Sequence, residues 1–508
     1  MNLGLRHKAI RDLEQAGAQA WLVGGCVRDS LLGRPISDID IACSLRWEQS
    51  RDILEDAGWH CFETGVKHGT ITAFWPHDKC EDEGSGELEG KGEGEGEGEL
   101  EVERKSEDED KGEDEDKGKL EGKNKCEVDD NLETLTAEIT SFRTEGSYSD
   151  FRHPDAVTVA KTIEEDLARR DFKINALAYH KDRGLLDIYD GMKDLNDHVI
   201  RAVGNPSERF KEDPLRILRA CRFSSQLGFG IEQSTFDAAL ENKELLVHVS
   251  QERIFKELSL LLCGTCAHDA LMKCAPILFV VLPELESEWE FKQNTTYHSF
   301  DVYEHAAWAV QHCPAKPELR FAALLHDCGK PHTYTEDENG VGHFKGHAKI
   351  SEELARAICK RLKMPTYASQ KIITLVKNHD RQIEPTVRVI KRILHSFDGN
   401  VELFKDLCML QQADAIAKHL NVGERAEKTK QLLDLLEEVL AQSQAFSLKD
   451  LSVSGKDLLA WGFKQGPAIG AALNAALDAV INEEIPNEPE AIQKFLELKM
   501  TSTQCGWS

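Results

Sequence analysis

The sequence predicts an α/β unit over its first 195 residues, followed by a chain that is helical almost throughout. Three observations carry that prediction. Before residue 145, short runs alternate apolar and polar residues as half-buried strands do, most clearly Gly69–Trp75 (GTITAFW) and Leu135–Phe142 (LTAEITSF). From about residue 206 the period lengthens to that of helices, with breaks near Pro283, Pro314–Pro317, Pro365 and Pro385. Between the two alternating runs, residues 81–130 hold 23 Asp and Glu against 8 Lys and Arg, and no aromatic residue. A tract with so little to bury predicts disorder. Its flanking strands predict an insertion at a hairpin tip, where closure cost grows only with the logarithm of loop length.

Taken in order, the first 20 residues read as an amphipathic helix rather than a signal peptide. Trp21-Leu-Val opens a strand that ends in Gly24-Gly25. A helix follows over Val27–Leu32, then a strand around Asp38–Ala42. A last helical segment begins after Ser447, punctuated by Gly462 and Gly466. A length of 508 residues suggests three or four domains at roughly 150 residues each. No run approaches the roughly 18 to 20 apolar residues of a membrane span. Fourteen scattered cysteines in so long a chain predict reduced thiols, so the expectation is a soluble, cytoplasmic protein with no membrane partner. The acidic tract accounts for about half of the formal charge of −28. A phosphate-binding face must therefore be a local basic patch, because global charge will not supply one.

Asp38-Ile-Asp40 is the sharpest chemical signal. Residues two apart on a strand point to one face, so the two carboxylates converge. Adjacent anions are costly unless a cation lies between them, and all-oxygen ligands suit Mg²⁺. Glu138, on the strand after the tract, supplies a third carboxylate for a two-metal clamp, which activates an attacking oxygen and stabilises a leaving pyrophosphate. Gly24-Gly25, with a helix opening at Cys26 and Arg28 beside it, offers backbone N–H groups to a triphosphate. A bare Asp-X-Asp is more often a solvated strand end; here the neighbouring residues favour the metal.

These residues resemble a known family. Leu22–Ala42 (LVGGCVRDSLLGRPISDIDIA) is similar to the first motif of the class II tRNA nucleotidyltransferases, the CCA-adding enzymes related to bacterial poly(A) polymerases in the polymerase-β superfamily. Later motifs follow in order: Arg169–Ala178 (RRDFKINALA) resembles the second, Asp187–Gly191 with Asp194-Leu195 the third, Glu212–Arg222 (EDPLRILRACR) the fourth and Ser250–Ile254 (SQERI) the fifth. The resemblance implies a polymerase-β-like α/β nucleotidyltransferase head over 1–195, a nucleobase-selecting helical neck over 196–290, an HD domain over 291–420 and a tRNA-contacting helical tail over 421–508. It implies CCA addition to the tRNA 3′ end from CTP and ATP without a nucleic-acid template. Mg²⁺ is then held by Asp38 and Asp40, with Glu138 as the third catalytic carboxylate. Nucleotide binding falls to Gly25, Arg28, Arg170, Asp213, Arg216, Arg219 and Arg222. The partners implied are the acceptor end and body of tRNA.

The fourth motif also has a physical reading. On a helix, Asp213 and Arg216 are three apart and share a face. Asp accepts hydrogen bonds and Arg donates them. Adenine and cytosine each present an exocyclic amine beside a ring-nitrogen acceptor, where guanine and uracil present a carbonyl. One Asp–Arg pair therefore fits A and C and rejects G and U. The bland alternative is a surface ion pair worth a few tenths of a kcal/mol. Family members that add only CC lack a flexible loop between the first two motifs. Arg143–Pro154 resembles that loop, which implies full CCA addition or addition of the terminal A.

His326-Asp327, in Leu-Leu-His-Asp-Cys-Gly-Lys, resembles the HD phosphohydrolase superfamily, with His305 before it and Asp414 after. Imidazole and carboxylate ligands gathered from separate helices suit a transition metal better than Mg²⁺, and His347 and His379 extend the set to two metals. Three rivals stand beside the leading reading: a poly(A) polymerase or A-adding enzyme, an HD phosphohydrolase on an inert polymerase fold, and a non-catalytic RNA-binding protein.

Overall fold

The computed structural model describes residues 3–36, 38–65, 69–75, 136–145, 157–294, 300–418, 422–441 and 445–501. The expected acidic insertion, and residues 146–154 of the expected loop, lie outside them.

The first part of the chain is an α/β unit. Its elements are α1 (Leu3–Gln15), β1 (Ala20–Val23), α2 (Gly25–Leu31), β2 (Ile39–Cys43), α3 (Trp47–Asp56), β3 (His60–Gly65), β4 (Thr70–Phe74), β5 (Thr136–Ser141), β6 (Arg143–Glu145), β7 (Val157–Val159), α4 (Ile163–Ala168), β8 (Ala178–His180), β9 (Gly184–Leu186) and α5 (Gly191–Asn196). Seven strands form a mixed sheet in the order β3-β4-β5-β2-β1-β8-β9. The two alternating runs pair with each other: β4 and β5 are antiparallel from Thr70 opposite Thr140 to Phe74 opposite Thr136. β5 also lies parallel to β2, with Asp40 opposite Glu138.

Alternation decides which face carries the chemistry. Ile39, Ile41, Ile71, Ala73, Ala137 and Ile139 point to one side and are buried with Ile10 and Leu13 of α1 and Leu54 of α3. Asp38, Asp40 and Glu138 fall at the intervening positions and so on the opposite face. A one-residue slip of β2 against that core would bury both carboxylates under α1 and α3, so apolar burial itself fixes the site.

Helices dominate from residue 206, as the periodicity predicts. The neck comprises α6 (Pro206–Glu212), α7 (Leu215–Leu227), α8 (Gln233–Asn242), α9 (Gln251–Leu262) and α10 (Ala267–Val281). The body follows with α11 (Val302–His312), α12 (Pro317–Leu325), α13 (Lys330–Thr333), α14 (His347–Arg361), α15 (Thr366–Asn378), α16 (Val387–Ser396), α17 (Val401–Ala417) and α18 (Val422–Ala441). One continuous core runs from Cys26 and Val27 of α2 through the neck to Val439 of α18. Residues 445–496 close a separate core around Leu458, Leu477, Ile481 and Leu496. The described cysteines are free thiols, including Cys263 and Cys266 in a Cys-X-X-Cys spacing at the turn between α9 and α10. Among the described residues no helix is long and apolar enough to cross a membrane.

Candidate active site and histidine–aspartate centre

Asp38 stands exposed just ahead of β2, and Asp40 sits half-buried inside it. Burial, and after it Glu138 and Asp38, push the Asp40 carboxyl up to about 6 against the pull of Arg170. Asp40 faces Glu138 across the β2–β5 pair, with Asp38 two residues before it, in a place short of positive charge; unlike the histidine–aspartate sets of the body, the three do not bring their oxygens within 4.8 Å of one another. That all-oxygen set fits a hard divalent cation such as Mg²⁺.

The strand β1 ends in a sharp turn that places Gly24 against Arg170 and Asp40. Gly24 adopts φ 70°, and a Cβ there would lie 2.8 Å from Nη1 of Arg170 and 3.7 Å from Oδ2 of Asp40. Gly24 is thus required by its backbone conformation, and a Cβ there would also push aside the end of the Arg170 side chain. At Gly25 a Cβ would make ordinary contact, 3.7 Å from Arg28. The helix α2 therefore starts at Gly25, two residues before the expected Val27.

A cavity of about 960 Å³ opens beside these groups. It is lined by Gly25, Arg28, Asp38, Asp40, Arg170, Asp213, Arg216, Arg219 and Arg222, so the residues singled out for the nucleotide site share one space with the exception of Glu138, which does not line it. Each guanidinium is held by a carboxylate. Arg28 forks onto Asp29 at 2.9 and 2.8 Å; Arg170 meets Asp166 at 3.0 Å; Arg219 meets Asp171 at 2.6 Å; Arg222 meets Glu257 at 3.1 Å. Burial alone would raise Asp166, but Arg170 and Arg169 hold it below the usual carboxylate range.

The expected Asp213–Arg216 helix face needs correcting. Asp213 is not helical: it ends α6 with φ −141° and ψ 100°, because Pro214 cannot continue that helix, and Arg216 lies in the first turn of α7. Nor do the two bond each other in this structure. Asp213 Oδ2 accepts from Nη2 of Arg253 at 2.8 Å. Arg216 Nη1 donates to Oε2 of Glu212 at 2.6 Å, and its Nη2 donates to the carbonyl of Arg169 at 3.1 Å. Both still line the cavity, one as acceptor and one as donor.

The histidines and aspartates of the body form a second centre. His305, His326, Asp327 and Asp414 bring ligand atoms within 4.8 Å of one another, and Asp327, His347 and His379 do the same. Asp327 is shared between them. Its Oδ2 lies 3.1 Å from Nε2 of His326 and 3.4 Å from Nε2 of His305, while its Oδ1 lies 3.3 Å from Nε2 of His347 and 3.5 Å from Nε2 of His379. Nδ1 of His347 faces the carbonyl of Phe344 at 2.9 Å, and Nδ1 of His379 faces that of Val376 at 2.7 Å. Those carbonyls place the protons on Nδ1 and leave Nε2 of each ring as a lone pair. The two Nε2 atoms are 3.0 Å apart. Facing lone pairs at that distance call for a cation between them, so the donor set fits a metal. Burial opposes charge on His326, yet Asp327 and Asp414 push it up to about 10; a metal held by this set would compete with that proton.

Comparison with known proteins agrees with this geometry. The poly(A) polymerase head domain model matches residues 20–84 and 105–201, the "Probable RNA and SrmB-binding site of polymerase A" model matches 228–288, and the tRNA nucleotidyltransferase domain 2 model matches 333–496. A CCA-adding enzyme of Lacticaseibacillus paracasei is 31% identical over 501 residues, spanning 97% of this chain and 95% of its own. A CCA-adding enzyme of Ligilactobacillus salivarius is 36% identical over 508 residues, spanning 97% and 96%. The chain belongs to the CCA-adding enzyme family. The CCA-adding enzyme of Bacillus stearothermophilus, solved in complex with CTP, superposes with a TM-score of 0.64 at 25% identity, covering 97% of this chain and 96% of that one.

Several groups that complete this family member's cavity were not individually legible. Asp171 is buried and accepts from Asn175 at 3.0 Å, the amide of Phe172 at 2.8 Å and Arg219. Arg253 and Glu257 reach the cavity arginines and Asp213 from α9. Arg253 lies inside the quoted fifth motif, but nothing local in the sequence assigns its partner.

Proposed function

We propose that the cavity binds CTP and ATP and that the protein adds CCA to the 3′ end of tRNA without a nucleic-acid template. The observation that carries this reading is the register of β2 against β5. It sets Asp40, which lines the arginine-rich cavity, opposite Glu138 of β5. Mg²⁺ held by Asp38, Asp40 and Glu138 would supply activation of the tRNA 3′ hydroxyl and charge relief on the leaving pyrophosphate. The Gly24–Gly25 turn and Arg28 take the triphosphate, Arg170 steadies it beside Asp40, and Arg219 and Arg222 extend the cationic wall. Asp213 accepts from the exocyclic amine of A or C while Arg216 donates to the adjacent ring nitrogen. Residues 1–195, 196–290, 291–420 and 421–508 serve as head, neck, histidine-bearing body and tRNA-contacting tail. Residues 445–496 close a core of their own, whereas α18 packs into the body's core, so the tail's own packing starts after residue 441 rather than at 421. Incubating the protein with Mg²⁺, single NTPs and tRNAs ending before, within or after CCA, then sequencing the ends, tests the reading. Ends that grow only to CCA, and only with CTP and ATP, are expected; a run of A residues would make it a poly(A) polymerase.

A second activity is favoured by one observation, the bridging position of Asp327 between two histidine sets. We propose a metal-dependent phosphohydrolase there, loaded with a transition metal because imidazole ligands dominate. Its test is release of phosphate, or opening of a 2′,3′-cyclic phosphate, with added Mn²⁺, Co²⁺ or Ni²⁺ and its loss in His326→Ala.

A further inference from the structure

Phe223 lies on α7 at the edge of the nucleotide cavity, 4% exposed, with three guanidiniums around its ring. The central carbon of Arg222 is 4.2 Å from the ring centroid, that of Arg28 is 5.1 Å away and that of Arg219 is 5.4 Å away. Arg28 comes from α2 in the head; Arg219 and Arg222 come from α7 in the neck. The ring therefore ties the phosphate loop to the helix that carries Arg216. Its own orientation is fixed by an edge-on contact with Phe172, at 5.8 Å and 86°.

Gathering three like charges is unfavourable. Burial, and after it Arg219, draw Arg222 down to about 10, and Arg28 adds to the strain. The carboxylates of Asp29, Asp171 and Glu257 steady these cations but also cancel their charge. A fourth carboxylate in the middle would repel the phosphate oxygens the cations are there to meet. An aromatic face attracts guanidinium through its quadrupole without net charge and without an acceptor that competes with phosphate.

We propose that Phe223 is a positioning residue for nucleotide binding, its ring holding Arg28, Arg219 and Arg222 together as one triphosphate cradle across the head–neck boundary. This rests on the reading of the cavity as the CTP and ATP site. The test replaces Phe223 in the full chain with 4-fluoro-, 3,5-difluoro-, 3,4,5-trifluoro- and pentafluorophenylalanine, which keep nearly the same shape while draining the ring face. KM and kcat for CTP and ATP addition, the inhibition constant of free pyrophosphate and the thermal midpoint are read for each member. KM and the pyrophosphate constant should rise together with fluorine content, reaching roughly ten-fold at pentafluoro, with kcat within about two-fold. Phe223→Tyr should stay near the parent, and Phe223→Leu should match the pentafluoro member. The comparison is made among members whose thermal midpoint equals the parent's, so that packing alone cannot produce the trend. A flat KM across such members, in a parent that adds nucleotides, would overturn the role of the ring. A parent that takes up neither CTP nor ATP would instead overturn the reading of the cavity, and the cradle with it.

Discussion

Asp40 is the residue on which the head's electrostatics converge. Its carboxyl is pushed up to about 6 by burial first, with Glu138 and Asp38 adding, so it carries charge above that pH and is neutral below. Nucleotidyl transfer should therefore fall as pH drops through about 6, and raising Mg²⁺ should move the midpoint lower, because metal and proton compete for one carboxylate. A midpoint that ignores Mg²⁺ would remove Asp40 from the metal site. Linkage gives a second consequence. A carboxyl with a raised folded pKa binds its proton more tightly when folded, so its contribution is fully present below about 3.8 and is lost as pH rises through about 6. In EDTA at pH 7, Asp40→Asn should therefore be more stable than the parent by about 3 kcal/mol, read as a higher thermal midpoint; added Mg²⁺ should narrow the difference. Base choice lies elsewhere. Asp213→Ala should admit UTP and GTP while leaving the Mg²⁺ requirement alone, and unchanged discrimination would contradict its role as base acceptor. The placing of Asp40 opposite Glu138 on one face of the sheet was legible because strand alternation is a local rule. The contacts of Asp213 were not: Pro214 breaks the helix that spacing implied, and Arg253 arrives from a helix 40 residues on.

At the scale of elements, the turn from β1 into α2 carries the tightest steric demand in the cavity. Gly24→Ala places a Cβ in a left-handed conformation and against Arg170. It should cost about 1–2 kcal/mol of stability and raise KM for both nucleotides, since Arg170 must move; an unchanged KM would show that Arg170 does not touch the triphosphate. While β3 and the short β8 and β9 were not read from the sequence, strands β1, β2, β4 and β5 and the helical run beyond residue 206 were legible from their periodic apolar faces. The sheet order was not, because β2 lies parallel to β5 and β1 pairs with β8, partners set by packing across distant segments. The hairpin joining β4 to β5 across 61 intervening residues was legible from alternation on both sides of a tract with nothing to bury.

At the scale of the whole molecule, two chemically distinct centres occupy one chain. Carboxylates and arginines meet at the head and neck, and histidines and aspartates meet in the body. The poly(A) polymerase head model skips residues 85–104, within the acidic tract, and β4 pairs with β5 without it. Removing residues 81–130 should therefore leave CCA addition within a few-fold of the parent; a loss of two orders of magnitude would assign the tract to the site. The two centres share no ligand, which is the central claim here. The most direct measurement is the rate of CCA addition by Asp40→Ala and His326→Ala, compared with the parent on one tRNA. Loss of a metal carboxylate should cost Asp40→Ala several orders of magnitude, while His326→Ala adds CCA nearly as the parent does. A folded His326→Ala protein that no longer transfers nucleotides would contradict the account, because the histidines would then belong to the polymerase mechanism itself.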